Sequence, residues 1–138
     1  MARTHPQLVR RTWRFDTDLA AIAARVRVRA GIRALRQLMA LCALSPAETG
    51  TLFHVSRQAV NAWLAKGVPA ERLADVDRAG RLATELGRTF RRERLPQIVR
   101  GPIPALKDRS ILESLRADGP GRTFEVIERL RSWVPPGA

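Results

Sequence analysis

The chain has 138 residues, enough for one domain or one small domain with an extension, and 45% of them are hydrophobic, enough for a real core. No run approaches the ~18 apolar residues of a membrane span. The N-terminus lacks the apolar core of a secretion signal, and a lone cysteine excludes a disulfide or a thiolate metal site, so a cytoplasmic protein without metal or cofactor is expected.

In chain order, residues 1–15 read as a basic arm, with Trp13 and Phe15 available to dock on the body. "DTDL" offers Thr17 or Asp18 as a helix start. Leu19, Ile22, Ala23, Val26 and Ala30 then recur at helical spacing. Gly31 is expected to break or bend this helix. Beyond it, Ile32, Leu35, Leu38, Met39 and Cys42 continue an apolar stripe, in which Cys42 reads as a buried structural thiol. Residues 26–41 are the expected pairing surface of a dimer.

Ser45-Pro46-Ala47-Glu48 is a capping-box pattern with Pro at the first helical position. The Ser45 hydroxyl can accept the Glu48 amide, and the Glu48 carboxylate can accept the Ser45 amide. Pro46 loses nothing there, because its missing N–H would lack a partner anyway. The short helix so begun covers about 46 to 53. Ser56 starts a second, running to Lys66, with Gly67 just past its end. "GVPAERL" restarts with Pro69 at or near the first turn, and that helix is expected to stop at Gly87. Residues 88–105 hold three prolines and a glycine, which reads as a linker or short helix followed by an extended turn. A compact helix ends at Asp118-Gly119, and a last one uses Phe124, Ile127 and Leu130 inward. No segment makes a convincing strand. The expectation is an all-α fold: an N-terminal basic helix, a DNA-binding unit over 16–90 with a helix-turn-helix at 45–67, and a small C-terminal helical subdomain over 91–138.

Two short helices across a tight turn have strict needs. A small residue must stand where they touch, and Gly50 meets that need. A residue tolerant of positive φ must occupy the turn. His54 stands there, one of the few non-glycine types enriched at positive φ. Leu52 or Phe53, Val55, Val60 and Trp63 anchor both helices. With Val60, Trp63 and Leu64 inward, Arg57, Gln58, Asn61 and Ala62 share the outer face. Arg pairs bidentately with guanine, Gln and Asn with adenine, and Ala can touch a thymine methyl. Ser56 and Lys66 are candidate phosphate contacts.

The net charge is +12 and the pI near 11.7, a surplus that points to a polyanionic partner such as double-stranded DNA. Residues 1–44 carry nine Arg against two Asp, a net +7, whereas residues 45–90 carry six basic against five acidic groups, a net +1. Arg25, Arg29 and Arg33 are therefore expected to hold phosphates beside a nearly neutral reading helix. No acid/base pair, nucleophile, glycine-rich phosphate loop or metal set accompanies them, so no enzymatic activity is expected.

The run "LSPAETGTLFHVSRQAVNAWLAKGVP" resembles the Xre-type (Cro/repressor-like) helix-turn-helix. With the continuation "AERLADVDRAGRLATEL" and the closing "TFEVIERLRSW", residues 32–134 are similar to antitoxins of the Xre/MbcA/ParS class. In that class a toxin-binding domain often carries a Leu, Gly-Gly-Arg, Ser/Thr/Pro signature. Here Leu106, Lys107-Asp108-Arg109, Ser110, Leu112, Leu115 and Gly119 stand in its place, with Lys107 and Asp108 for the two glycines. The resemblance implies repression of the protein's own operon and an RES-type, NAD-consuming toxin as partner. Arg109, Ser110, Leu112 and Trp133 are the partner-facing candidates it suggests.

Overall fold

The computed structural model describes residues 6–133, with side chains described over residues 18–132. Seven α-helices follow one another among these residues: α1 (Pro6–Cys42), α2 (Pro46–Phe53), α3 (Arg57–Lys66), α4 (Ala70–Thr89), α5 (Leu95–Ile98), α6 (Ile111–Asp118) and α7 (Pro120–Trp133). Short 3-10 turns cover Arg92–Arg94 and Pro104–Leu106. The only β-type pairing among the described residues is an isolated antiparallel bridge between Ile103 and Arg109. The all-α expectation holds, and no helix among the described residues is long and apolar enough to cross a membrane.

α1 departs most from expectation. It is one helix of 37 residues, with Pro6 in its first turn. Residues 6–15 of the expected arm are helical, Thr17 and Asp18 lie inside the helix rather than at its start, and Gly31 does not break it. No proline intervenes, and Ala, Arg and Leu dominate, so intrinsic propensity favours an unbroken helix at the cost of about 1 kcal/mol for the one glycine. Gly31 instead makes room for a neighbour: a Cβ there would lie 2.7 Å from Leu73 Cδ1 and 3.6 Å from Val68. The side chains of Trp13 and Phe15 lie outside the described residues.

The end of α1 is built with care. Ala43 turns left-handed at φ 52°, and the Leu44 N–H donates to Met39 O at 2.9 Å, the bond that closes a Schellman turn. Arg100 then donates to Cys42 O at 2.8 Å and to Ala43 O at 2.9 Å, which satisfies carbonyls the helix leaves unpaired. The same guanidinium reaches Glu48 Oε2 at 2.9 Å.

Leu35, Leu38 and Cys42 of α1 pack on α4 and on the helices after it. Their cluster includes Val76, Leu82 and Leu86 of α4, Leu95, Val99 and Leu106 of the following stretch, and Ile111, Leu115 and Ile127 of the last two helices. Residues on both sides of the expected division at 90/91 thus share one core. Gly80 lets α4 approach closely, since a Cβ there would meet Ala34 O at 3.0 Å and Ala34 Cβ at 3.1 Å. α4 itself runs past Gly87 to Thr89, with Pro69 just before its first residue.

Before Gly31 the picture reverses. Every residue from Asp18 to Ala30 is exposed. The expected pairing surface over 26–41 is therefore divided: Gly31, Leu35 and Leu38 are buried in the body, whereas residues 26–30 are all exposed.

Candidate nucleic-acid interface

α2 begins as its residues require. Ser45 is extended, Glu48 N–H donates to Ser45 Oγ at 3.1 Å, and Ser45 N–H donates to Glu48 Oε1 at 3.2 Å. Two otherwise orphaned amides are satisfied reciprocally. The Ser45 amide and then Arg100 hold the Glu48 carboxyl below its ordinary value.

The turn between α2 and α3 pivots on His54, which is left-handed at φ 58°, ψ 40°. The Val55 N–H donates to Gly50 O at 2.8 Å, and the His54 N–H points back at Gly50 and Thr51 carbonyls. This wraps the chain tightly over Gly50, where a Cβ would fall 2.6 Å from Val55 O, a backbone atom that cannot step aside. Gly50 and His54 thus stand at the close contact and the left-handed turn assigned to them. Sequence reading had no access to the His54 side chain's partner: Nε2 donates to Arg116 O at 2.8 Å, 62 residues away. Arg72 Nη1 donates to Phe53 O at 3.0 Å and covers the end of α2.

α3 starts at Ser56, whose Oγ accepts from the Ala59 N–H at 3.0 Å. Val60 and Trp63 are buried, and Leu64 packs against the core. The Trp63 ring meets Phe53 with centroids 6.1 Å apart and planes tilted by 59°, a favourable edge-biased aromatic contact. Trp63 is therefore an anchor. Arg57, Gln58, Asn61, Ala62 and Lys66 are all exposed. Their spacing places Arg57, Gln58, Asn61 and Ala62 together on the side of α3 that turns away from Val60 and Trp63. Among the described residues, none of these polar side chains has an ion-pair partner.

The far end of α3 abuts α1. Gly67 sits so close to Val28 that a Cβ would come within 2.9 Å of Val28 Cγ1. This brings the end of α3, with Lys66, alongside the arginine-bearing stretch of α1. Arg25, Arg29 and Arg33 are exposed there and recur every fourth residue, on one side of the helix.

The partner-facing candidates are placed differently. Ser110 is buried, and its Oγ accepts from the Glu113 N–H at 3.0 Å, so it starts α6 rather than facing solvent. Leu112 packs against the core. Arg109 donates from Nε to Leu106 O and pairs through Nη2 with Asp118, tying both ends of the 106–118 stretch. Trp133 is the last residue of α7, and its side chain lies outside the described residues. Lys107 and Asp108, which stand where the resembled signature has two glycines, are both left-handed, at φ 60° and 61°.

Cys42 is buried, and its thiol is pushed up to about 11 by desolvation, with Arg100 working in the opposite direction. It is a poor nucleophile at neutral pH.

No protein-family model matches the chain, and comparisons with curated proteins and with solved structures return no match.

Proposed function

We propose that this protein is a sequence-specific DNA-binding regulator, acting as a homodimer that represses by occupying its site and performs no chemistry. α2, the turn at His54 and α3 are read as a helix-turn-helix, with α3 as the helix that enters the major groove. The observation that carries this reading is the outer face of α3. Four side chains suited to base edges stand together, exposed, on a helix whose opposite face is anchored by Val60 and Trp63. Ser56, Lys66, Arg25, Arg29 and Arg33 supply phosphate contacts beside it, in keeping with a net charge of +12.

The test is a random-site selection on the purified chain, followed by binding to the preferred duplex. Arg57→Ala or Asn61→Ala should weaken that binding by about 1–3 kcal/mol and relax the choice of base at one position. Equal affinity for all sequences, with a steep salt dependence that Arg57→Ala barely alters, would make the chain a nonspecific nucleic-acid binder instead.

One observation favours a second reading, an antitoxin whose C-terminal helices silence an RES-type enzyme. Lys107 and Asp108, which stand at the two glycine positions of the resembled signature, are both left-handed, a conformation glycine adopts without strain. Co-expression with an RES-type toxin checks it: relief of NAD loss supports the antitoxin reading, and unrelieved NAD loss excludes that toxin as partner.

A further inference from the structure

α4 ends by turning an aromatic ring out of the core. Leu82 and Leu86 are buried at helical spacing, and Phe90 would come next on that face. Instead Phe90 is extended, at φ −116° and ψ 159°, and its side chain is 44% exposed. Leu95 fills the core at this end of the molecule. It is fully buried, and its Cδ1 lies 3.7 Å from the place a Gly87 Cβ would take.

The Phe90 ring lines an open cleft of about 790 Å³ together with Ile98, Arg91, Arg94 and Gln97. That volume falls in the range of about 300–1,000 Å³ that suits small molecules. The polar lining is a single row. The Arg94 N–H donates to Arg91 O at 3.0 Å, which folds residue 94 back over residue 91, and Gln97 follows three residues on in α5. Residues three apart in such a turn stand on one side.

The charge of this cleft is uncompensated. No carboxylate is among its lining residues, and neither Arg91 nor Arg94 has an ion-pair partner among the described residues. The cleft of about 520 Å³ between α1 and α4 differs in this respect. Its Arg81 and Arg88 are already paired, with Asp77 at 3.1 Å and with Glu85 at 3.1 Å.

We propose that the cleft at the end of α4 binds a free nucleotide, a flat heteroaromatic ring that carries a phosphate. The base stacks on Phe90 beside Ile98. The phosphate takes the Arg91 and Arg94 guanidinia, whose planar forks match its oxygens. The Gln97 carboxamide, both donor and acceptor, serves the polar edge of the base or the ribose. A bare anion would leave the Phe90 ring and Ile98 in water, and a neutral ring would leave two neighbouring guanidinia without a counter-charge. Duplex DNA offers phosphate but keeps its ring faces stacked inside. A single strand offers both, but it is held along a basic groove several nucleotides long, whereas the lining here ends after two guanidinia.

The cleft stands apart from the proposed DNA-facing surface. It lies beyond Gly87, which packs on Leu41, whereas α3 ends beside Val28, about 20 Å away along α1. No residue serves both, so the test needs no duplex. Isothermal titration of the full chain with the common ribonucleoside 5′-monophosphates should show saturable binding of at least one of them. The matching nucleoside and inorganic phosphate should each bind about tenfold more weakly or worse. Phe90→Ala should weaken the nucleotide about fivefold, and Arg91→Gln or Arg94→Gln about tenfold. Thermal unfolding of all three variants should match the natural chain, because these side chains are exposed. Should a variant fail to fold, the comparison of nucleotide, nucleoside and phosphate on the natural chain decides alone. Absence of binding by every nucleotide at millimolar concentration overturns the proposal. So does phosphate binding as tightly as the nucleotide, or nucleotide binding that Phe90→Ala leaves intact. A short single-stranded oligonucleotide that binds the cleft and that no mononucleotide displaces overturns it as well.

Discussion

Residues 18–30 and residues 31–42 belong to one helix of similar composition, yet they live in opposite environments. The second segment puts Leu35, Leu38 and Cys42 into the core, and Arg100 clamps its end. Every residue of the first segment is exposed, with Val28 resting against Gly67 at the end of α3. The difference teaches that helix formation and helix burial are separate matters. Ala, Arg and Leu make both halves helical through propensity and continuity, whereas packing on α4 is open only to the half that α4 can reach.

The largest expected effect separates the two halves directly. Leu35→Ala should destabilise the folded chain by about 2–5 kcal/mol, because Leu35 is fully buried and its removal leaves a cavity. Ile22→Ala should leave monomer stability within about 0.5 kcal/mol. Urea unfolding of both variants, at concentrations low enough to populate the monomer, makes the comparison. Equal losses would place the first segment on the body after all.

A second measurement sharpens how the buried half is held. Gly80→Ala should cost about 1–3 kcal/mol, since the new Cβ meets the backbone of Ala34 rather than a movable side-chain end. A neutral result would mean that α1 and α4 can slide apart without penalty.

The junction between α1 and α2 should respond to acid. The Glu48 carboxyl is held below its ordinary value, first by the Ser45 amide and then by Arg100. The folded state thus prefers Glu48 ionised more strongly than the unfolded chain does. That stabilisation is complete above the unfolded value of about 4.3 and is lost as pH falls through the lower folded value. Urea midpoints taken from about pH 6 down to about pH 3 should fall less steeply in Glu48→Gln than in the natural chain. Identical profiles would remove Glu48 from the clamp.

The smallest expected effect is a gain. Ala43 adopts φ 52° at the end of α1, a conformation that costs an L-residue with a Cβ. Ala43→Gly should therefore stabilise the chain by about 0.5–1 kcal/mol, net of glycine's greater unfolded freedom, read as a rise in thermal midpoint. His54→Gly makes a useful contrast, because relief of the same strain is offset by loss of the bond to Arg116 O.

Much of the fold was legible where the determining groups lie within five residues of each other. Ser45 and Glu48, Ser56 and Ala59, Gly50 and Val55 each settle a helix end among themselves, which is why the limits of α2 and α3 agree with the sequence pattern. The polar outer face of α3 was legible for the same reason, since Val60 and Trp63 define its inside by period alone. Gly31 misled, because a glycine looks like a break until Leu73 and Val68 are seen against it. Ser110 looked available because its cap partner Glu113 gives no hint of how deeply the α6 start is buried.

By itself, then, the sequence determined helix type, the caps of α2 and α3, the left-handed turn at His54 and the basic surplus, all of which follow from local backbone chemistry and charge. Only the tertiary structure decided that Arg100 would close α1 from 58 residues away, that residues beyond 91 would share the core of those before it, and that residues 18–30 of α1 would stay exposed. Those outcomes depend on which surfaces meet in space. Side-chain contact between distant segments is set by the packing of the whole chain and leaves no periodic trace along it.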